Sequence, residues 1–408
     1  MNIVAAIGGL AFLILIHEAG HFFTALAVKM RPRRFYIFFP PALAKWHRNG
    51  IEYGIGSIPL GGYVKIPGMH KPAAGDLDAH LEHARKEAPS LAEAAAPVEQ
   101  ALEEERYEDA RAGMGQLHAK VQSADLSEAS RKVADRGLTD VDDALSSDAY
   151  WRAPTWKRVA VILAGPATNY FFAVLALAIV FMLGVPTGAT HTVEEVSADS
   201  PAAAMGLQPG DEVVAVNGTR GESADLAETI RSSGGEPVTL TVERDGSRLE
   251  LEGTPQLDPA DDVYRLGFAF GLAYESYGPV EALGRAFDAT WEVTKAIVSS
   301  LGRLVTGEGR EEVASVVGIT QVSSESLDVG FRYYLEVLAF ISLSLALLNL
   351  LPLLPLDGGH IAFSIAERIR GRAIPREAYE RFSMIGIALV LVLFVIGLSN
   401  DIDRLRGG

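Results

Sequence analysis

The run His17-Glu18-Ala19-Gly20-His21 sets two imidazoles four positions apart with a carboxylate between them. On a helix, positions four apart share a face, so both rings can reach one metal ion. Glu18 is turned far enough to meet a water at that ion instead of the ion itself. This is the H-E-x-x-H arrangement of metal-dependent peptide hydrolysis. Hydrolytic zinc sites usually present three protein ligands and keep a fourth position open, so two histidines leave the set one short. The chain has no cysteine, and the third ligand must be His, Asp or Glu. Asp357 is the best placed, in Asn349-Leu350-Leu351-Pro352-Leu353-Leu354-Pro355-Leu356-Asp357-Gly358-Gly359-His360. Pro352 and Pro355 break a helical ladder, and Gly358 and Gly359 let the backbone turn sharply, so that a carboxylate can be aimed sideways.

These residues need elements to hold them, and the composition points to a membrane. The 408 residues are 49% hydrophobic with a formal net charge of −16, and no nucleic-acid partner is expected of such a chain. Residues 2–28 hold Glu18 as their one formal charge, and 159–186, 335–356 and 382–398 are further long apolar runs. Each is long enough to cross about 30 Å of hydrocarbon as a helix. A secretory signal peptide would place a basic stretch ahead of the first run and would not put two histidines and a glutamate inside it. Ionisable groups at membrane depth are costly and mark function. Lys29, Arg31, Arg33 and Arg34 follow the first span, Arg152, Lys157 and Arg158 precede the second, and Arg368, Arg370, Arg372, Arg376 and Arg381 lie between the third and fourth. All three clusters fall on one side, predicted cytoplasmic. Asp357 is taken as the end of the third span, parallel to the first. His21 and Asp357 then lie about 12 Å and 16 Å from their basic boundaries at about 1.5 Å per residue, close enough to meet inside the bilayer nearer its cytoplasmic face.

Between the spans the chain changes character repeatedly. Residues 31–70 are rich in aromatics, glycine and proline, and Gly54 to Ile66 is expected to form short strands, a hairpin packed on or dipping into the bilayer or, alternatively, a soluble one. Residues 71–150 hold 18 acidic against 9 basic side chains and few large apolar ones, and are expected to be a solvated, flexible cytoplasmic insertion, partly helical, unable to bury much core. Residues 187–257 alternate strand, helix and turn patterns in the order of a PDZ domain, a fold that binds extended peptides by strand addition. Residues 258–332 are expected to be an extracytoplasmic linker, with an amphipathic helix over 278–306 lying on the outer leaflet.

The chain resembles the site-2 protease family of intramembrane zinc metalloproteases, in its bacterial form with one PDZ domain. His17, Glu18 and His21 match its H-E-x-x-H, Asn349 to Gly358 match its N-x-x-P-x-x-x-L-D-G, Gly165 to Asn169 match its G-x-x-x-N, and Gly54 to Val64 resemble its membrane-associated hairpin. Leu354 stands where many members carry proline, and Ser315-Val316-Val317-Gly318 replaces a Gly-Pro pairing; neither touches a ligand. The resemblance implies a polytopic α-helical membrane protein of four transmembrane helices with a membrane-associated β hairpin and an extracytoplasmic α+β PDZ domain. It implies Zn²⁺ on His17, His21 and Asp357, with Glu18 as general base. Asn349 and the hairpin glycines Gly54, Gly56, Gly61 and Gly62 would hold the substrate extended, and Asn169, Pro352 and Gly358 would support the site. The implied partners are the lipid bilayer, a single-pass membrane substrate such as an anti-sigma factor or remnant signal peptide, and a peptide at the PDZ domain. A metal transporter would need acidic or histidine residues at successive depths, and the second and fourth spans have none. An inactive PDZ scaffold would not need Glu18.

Overall fold

The structure is a computed structural model and describes residues 2–58, 61–259 and 261–407. The first apolar run forms helix α1 (Asn2–Ala27), as a lipid-facing segment must if its backbone groups are to be satisfied internally. Beyond Lys29 the chain enters a four-stranded sheet of β1 (Arg34–Ile37), β2 (Phe39–Arg48), β3 (Ile51–Ile58) and β4 (Tyr63–Lys65), in the order β2-β3-β1-β4. β2 and β3 form a hairpin whose turn residues Asn49 and Gly50 both have positive φ, 52° and 78°, the conformation that Asn-Gly adopts most readily in two-residue turns.

The expected hairpin over Gly54 to Val64 is not what forms. β3 and β4 do not pair with each other; β1 lies between them, parallel to β3 and antiparallel to β4. The Tyr36 ring of β1 lies over Gly54, where any side chain would collide with it, so glycine admits β1 beside β3. Pro59 and Leu60 of that run lie outside the described residues.

Residues 71–150 also depart from expectation. They form four helices, α2 (Ala74–Glu87), α3 (Ser90–Glu103), α4 (Tyr107–Ser123) and α5 (Glu128–Leu145), around a hydrophobic core. Ala110, Met114, Leu117 and Val121 form one buried stripe at helical spacing, and Leu77, Leu81 and Ala84 another. The large apolar residues are few but correctly spaced, and alanine between them lets the helices approach closely. The acidic side chains then cover the outside. α5 is also tied to the sheet: Arg33 donates to Asp143 at 2.8 Å and to Asp148 at 3.1 Å, and Lys65 lies 3.2 Å from Asp143. The two ends of the insertion are stitched by backbone hydrogen bonds, Tyr150 to Pro67 at 2.8 Å and Trp151 to Gly68 at 3.1 Å.

Helix α6 (Thr155–Leu183) follows. A second compact unit covers residues 178–285. It contains β5 (Val185–Val196), α7 (Pro201–Ala204), β6 (Glu212–Val216), α8 (Ser223–Arg231), β7 (Val238–Arg244), β8 (Ser247–Gly253), β9 (Gln256–Asp258), β10 (Val263–Arg265) and β11 (Phe268–Glu275). Its antiparallel sheet has the order β11-β5-β6-β7-β8, over a core including Val193, Val213, Leu226, Leu240 and Val242. The expected boundary at 257 is too early. β11 pairs with β5 from Phe268↔Val196 to Glu275↔Val185, so the first part of the supposed linker, through Glu275, completes the sheet.

The remainder is helical: α9 (Pro279–Thr306), α10 (Val316–Val329), α11 (Phe331–Asn349), α12 (Asp357–Arg370) and α13 (Arg376–Gly407). Among the described residues four helices, α1, α6, α11 and α13, are long and apolar enough to cross a membrane; the most apolar window of α6 is 44% buried against 11% for α13, so α6 is the more enclosed and α13 the more peripheral. Asp401 of α13 caps α10, accepting from the backbone N–H groups of Ser315 and Gly318 at 2.9 Å each. The third span is shorter than expected. It stops at Asn349, and 350–356 run through tight turns, Leu353 N–H to Leu351 O at 2.7 Å and Leu356 N–H to Leu353 O at 2.8 Å. Pro352 and Pro355 cannot extend the helical ladder, so Asp357 begins a new helix instead of ending the old one, and the depth count along the third span does not hold.

Candidate metal centre

The three side chains singled out by type and spacing nevertheless converge. Nε2 of His17 lies 3.2 Å from Oδ2 of Asp357, Nε2 of His21 lies 3.3 Å from the same oxygen, and the two Nε2 atoms are 3.2 Å apart. Zinc bonds of about 2.0–2.1 Å in a tetrahedron would set its ligand atoms about 3.3 Å from one another, so the spacing suits such an ion. The orientation of the second ring supports this. Nδ1 of His21 donates to the Val161 carbonyl at 2.8 Å, which fixes the tautomer and leaves the Nε2 lone pair facing inward. Nδ1 of His17 is buried without a partner among the described residues.

Close helix packing places the histidines. A β-carbon at Gly20 would collide with the Ala164 carbonyl and lie 2.5 Å from Oγ1 of Thr168, so α1 and α6 touch backbone to backbone there. A β-carbon at Gly165 would overlap His21 and lie 2.9 Å from Nε2 of His17. Gly165 was noticed in the sequence only as part of a motif, and Gly20 only as a spacer. Small residues on facing helices are the signal that marks them both.

Asp357 comes from the first turn of α12, where the helix dipole favours a negative charge. A side chain at Gly358 would run into the Leu350 and Leu351 carbonyls, and one at Gly359 would lie 2.5 Å from the Leu354 nitrogen. The two glycines therefore let the 350–356 turns fold back over the helix start. The candidate metal-binding trio draws on α1 and α12, not on two spanning helices.

The other predicted residues divide. Gly62 adjoins the centre, since a β-carbon there would lie 2.7 Å from Cγ of Glu18 and 2.7 Å from the Tyr36 carbonyl. Gly61, at φ 155°, faces the Phe39 ring. Gly54 and Gly56 pack within the sheet, where a β-carbon would meet first the Tyr36 ring and the Phe39 backbone respectively. Asn349 donates from Nδ2 to Leu345 O at 3.0 Å. Asn169 is fully buried with neither amide atom partnered among the described residues, while its backbone carbonyl accepts from Ser342 at 2.9 Å and joins α6 to α11. Pro352 lies in the turns that precede Asp357.

The profile of peptidase family M50 matches residues 5–393, a stretch that holds His17, Glu18, His21 and Asp357. The chain belongs to peptidase family M50. A relative from Brucella suis is 29% identical over 96% of this chain and 93% of its own length. The regulator of sigma-W protease RasP of Bacillus subtilis is 28% identical over 96% of each chain, and the zinc metalloprotease RasP of Geobacillus kaustophilus 27% over 99% of this chain and 98% of its own. This M50 peptidase, of the site-2 protease family, is thus a zinc metalloendopeptidase and an integral membrane protein.

Proposed function

We propose that this M50 peptidase hydrolyses a peptide bond in or near the transmembrane segment of a single-pass membrane protein, at a site within the bilayer towards its cytoplasmic side. The observation that carries the reading is the position of His17 and His21, buried on an apolar helix whose neighbouring Phe12 and Phe23 are exposed on its outside. Zinc, when bound, polarises the scissile carbonyl and lowers the pKa of water to about 7.

The chain's own residues supply the rest. Glu18 takes the proton of the attacking water and hands it to the leaving amine nitrogen. A transmembrane substrate hides its amides in a helix and must unwind before it is cut. β4 is an edge of the sheet, and Gly62, just ahead of it, adjoins Glu18, which supports strand addition there as the means of holding the unwound segment. Asn349 uses its amide nitrogen within its own helix, and its Oδ1 serves as acceptor for a substrate N–H. Asn169, Pro352 and Gly358 support the site through packing, while Gly54 and Gly56 act through the sheet.

The second unit, with its antiparallel sheet and short α7 and α8, acts as an extracytoplasmic PDZ domain that docks or size-selects substrates already trimmed outside. An anti-sigma factor or a remnant signal peptide is the substrate class, and the name of the Bacillus subtilis relative, regulator of sigma-W protease, supports the former. The test is reconstitution of the full chain in liposomes with a single-pass substrate, comparing wild type with Glu18→Gln. Cleavage inside the hydrophobic segment by wild type alone is expected; cleavage confined to soluble loops, or equal cleavage by the variant, would overturn the reading.

A further inference from the structure

Helix α12 begins at Asp357 and ends in a turn carrying Arg368 and Arg370, before Gly371 reverses the chain at φ 68°. Beside that last turn lies a cavity of about 800 Å³, within the range of roughly 300–1,000 Å³ typical of ligand clefts. Its walls come from the lead into α2, the end of α3, the start of α6, and the α12–α13 connection with Tyr379.

The charges in this cavity do not cancel. Arg158 is engaged, donating to Oε2 of Glu367 at 2.7 Å, and the other Glu367 oxygen accepts from the Ile374 N–H at 3.1 Å. Lys71 lies 3.5 Å from Glu105 and 5.8 Å from the ring centres of Tyr107 and Trp151. Arg368 and Arg372 line the same space with no ion-pair partner among the described residues, against one further carboxylate, Glu103. Two arginines thus line a cleft in which the other two cations are already matched.

We propose that this cavity binds a phosphate-bearing anion through Arg368 and Arg372. The planar donor fork of arginine matches phosphate oxygens two at a time, and such charge-assisted bonds are strong. The cavity lies where α6 and α13, two membrane-spanning helices, both begin. That is the level of the headgroup phosphates, and basic pockets at this level capture anionic lipids. Trp151 and Tyr379 offer the amphipathic rings suited to that boundary. A phospholipid headgroup and a soluble phosphate share this chemistry.

The full-length zinc-loaded protein in detergent is titrated with phosphatidylglycerol, with phosphatidylcholine and with inorganic phosphate. Binding is read by native mass spectrometry and by the shift in thermal unfolding. The variant Arg368→Gln/Arg372→Gln is compared with wild type, and Arg231→Gln, in the second unit, serves as control. Wild type and control are expected to bind phosphatidylglycerol or inorganic phosphate about tenfold or more tightly than the double variant. Preference for phosphatidylglycerol over both other probes assigns a lipid; binding of inorganic phosphate assigns a soluble ligand. Absence of binding by wild type, or equal binding by the double variant, overturns the proposal. Should the double variant lose its zinc, Ile374→Trp, which fills the cavity without altering charge, takes its place with the same reading.

Discussion

A β-carbon on Gly165 of α6 would overlap Nε2 of His21 on α1. The position of the candidate ligand on one membrane helix is therefore set by the absence of a side chain on another. Gly165→Val should push the imidazole out of place and weaken zinc binding by about 10- to 100-fold, the range for disturbing a supporting contact. Zinc content after dialysis against a graded chelator measures it. Unchanged zinc affinity would show that α6 does not constrain His21.

Gly62 distinguishes the proposed base, Glu18, from the candidate metal ligands. The atoms nearest a β-carbon there are Cγ of Glu18, the Tyr36 carbonyl and Cγ2 of Ile14, none of them on the candidate ligands His17, His21 and Asp357. Gly62→Val should therefore retain zinc while turnover falls by about 10²- to 10⁴-fold, the contribution of a positioned general base. Glu18→Gln should do the same. Metal analysis and kcat on one preparation decide it, and loss of zinc in Gly62→Val would remove the distinction.

What could be read in the sequence was local, and what could not was pairing over distance. His17 and His21 follow from a four-residue spacing on one helix, and Asp357 from prolines and glycines that interrupt an apolar run. The start of α12 at Asp357 was missed because its first turn is Gly358 and Gly359, residues that end helices more often than they begin them. β11 was missed because its partner is β5, with Glu275 opposite Val185, and no local pattern announces a closing strand. The helical insertion was misjudged from composition, although Ala110, Met114, Leu117 and Val121 carry the correct period.

That insertion offers a direct stability test. Leu117 is fully buried in the core of the four helices. Leu117→Ala should cost about 2–5 kcal/mol of local stability, seen as faster amide hydrogen exchange across residues 74–145 with zinc content unchanged. A flexible segment would exchange quickly in both proteins.

Acid should loosen the second unit through one ion pair. Arg244 donates from Nε to Oδ1 of Asp211 at 2.6 Å and from Nη2 to Oδ2 at 2.7 Å, and this pairing holds the carboxyl below its ordinary value. A carboxyl whose folded pKa lies below the unfolded one of about 3.9 contributes stability above that value. The contribution is lost as pH falls through the folded pKa. Hydrogen exchange in residues 185–275, corrected for its intrinsic pH dependence, should rise from pH 5 to pH 3 in wild type. Asp211→Asn should exchange faster at pH 5 and show a smaller change on acidification. An equal pH response in both proteins would remove Asp211 as the cause.

The hydrogen bonds from Tyr150 to Pro67 and from Trp151 to Gly68 hold the base of the helical insertion shut. Its two ends leave the host side by side, so the segment from residue 69 to residue 149 is plugged in like a cartridge. Shortening, exchanging or excising it requires a tight connection across that seam and new partners for Arg33 and Lys65, which now pair with Asp143 of the module, but no rethreading of the membrane helices.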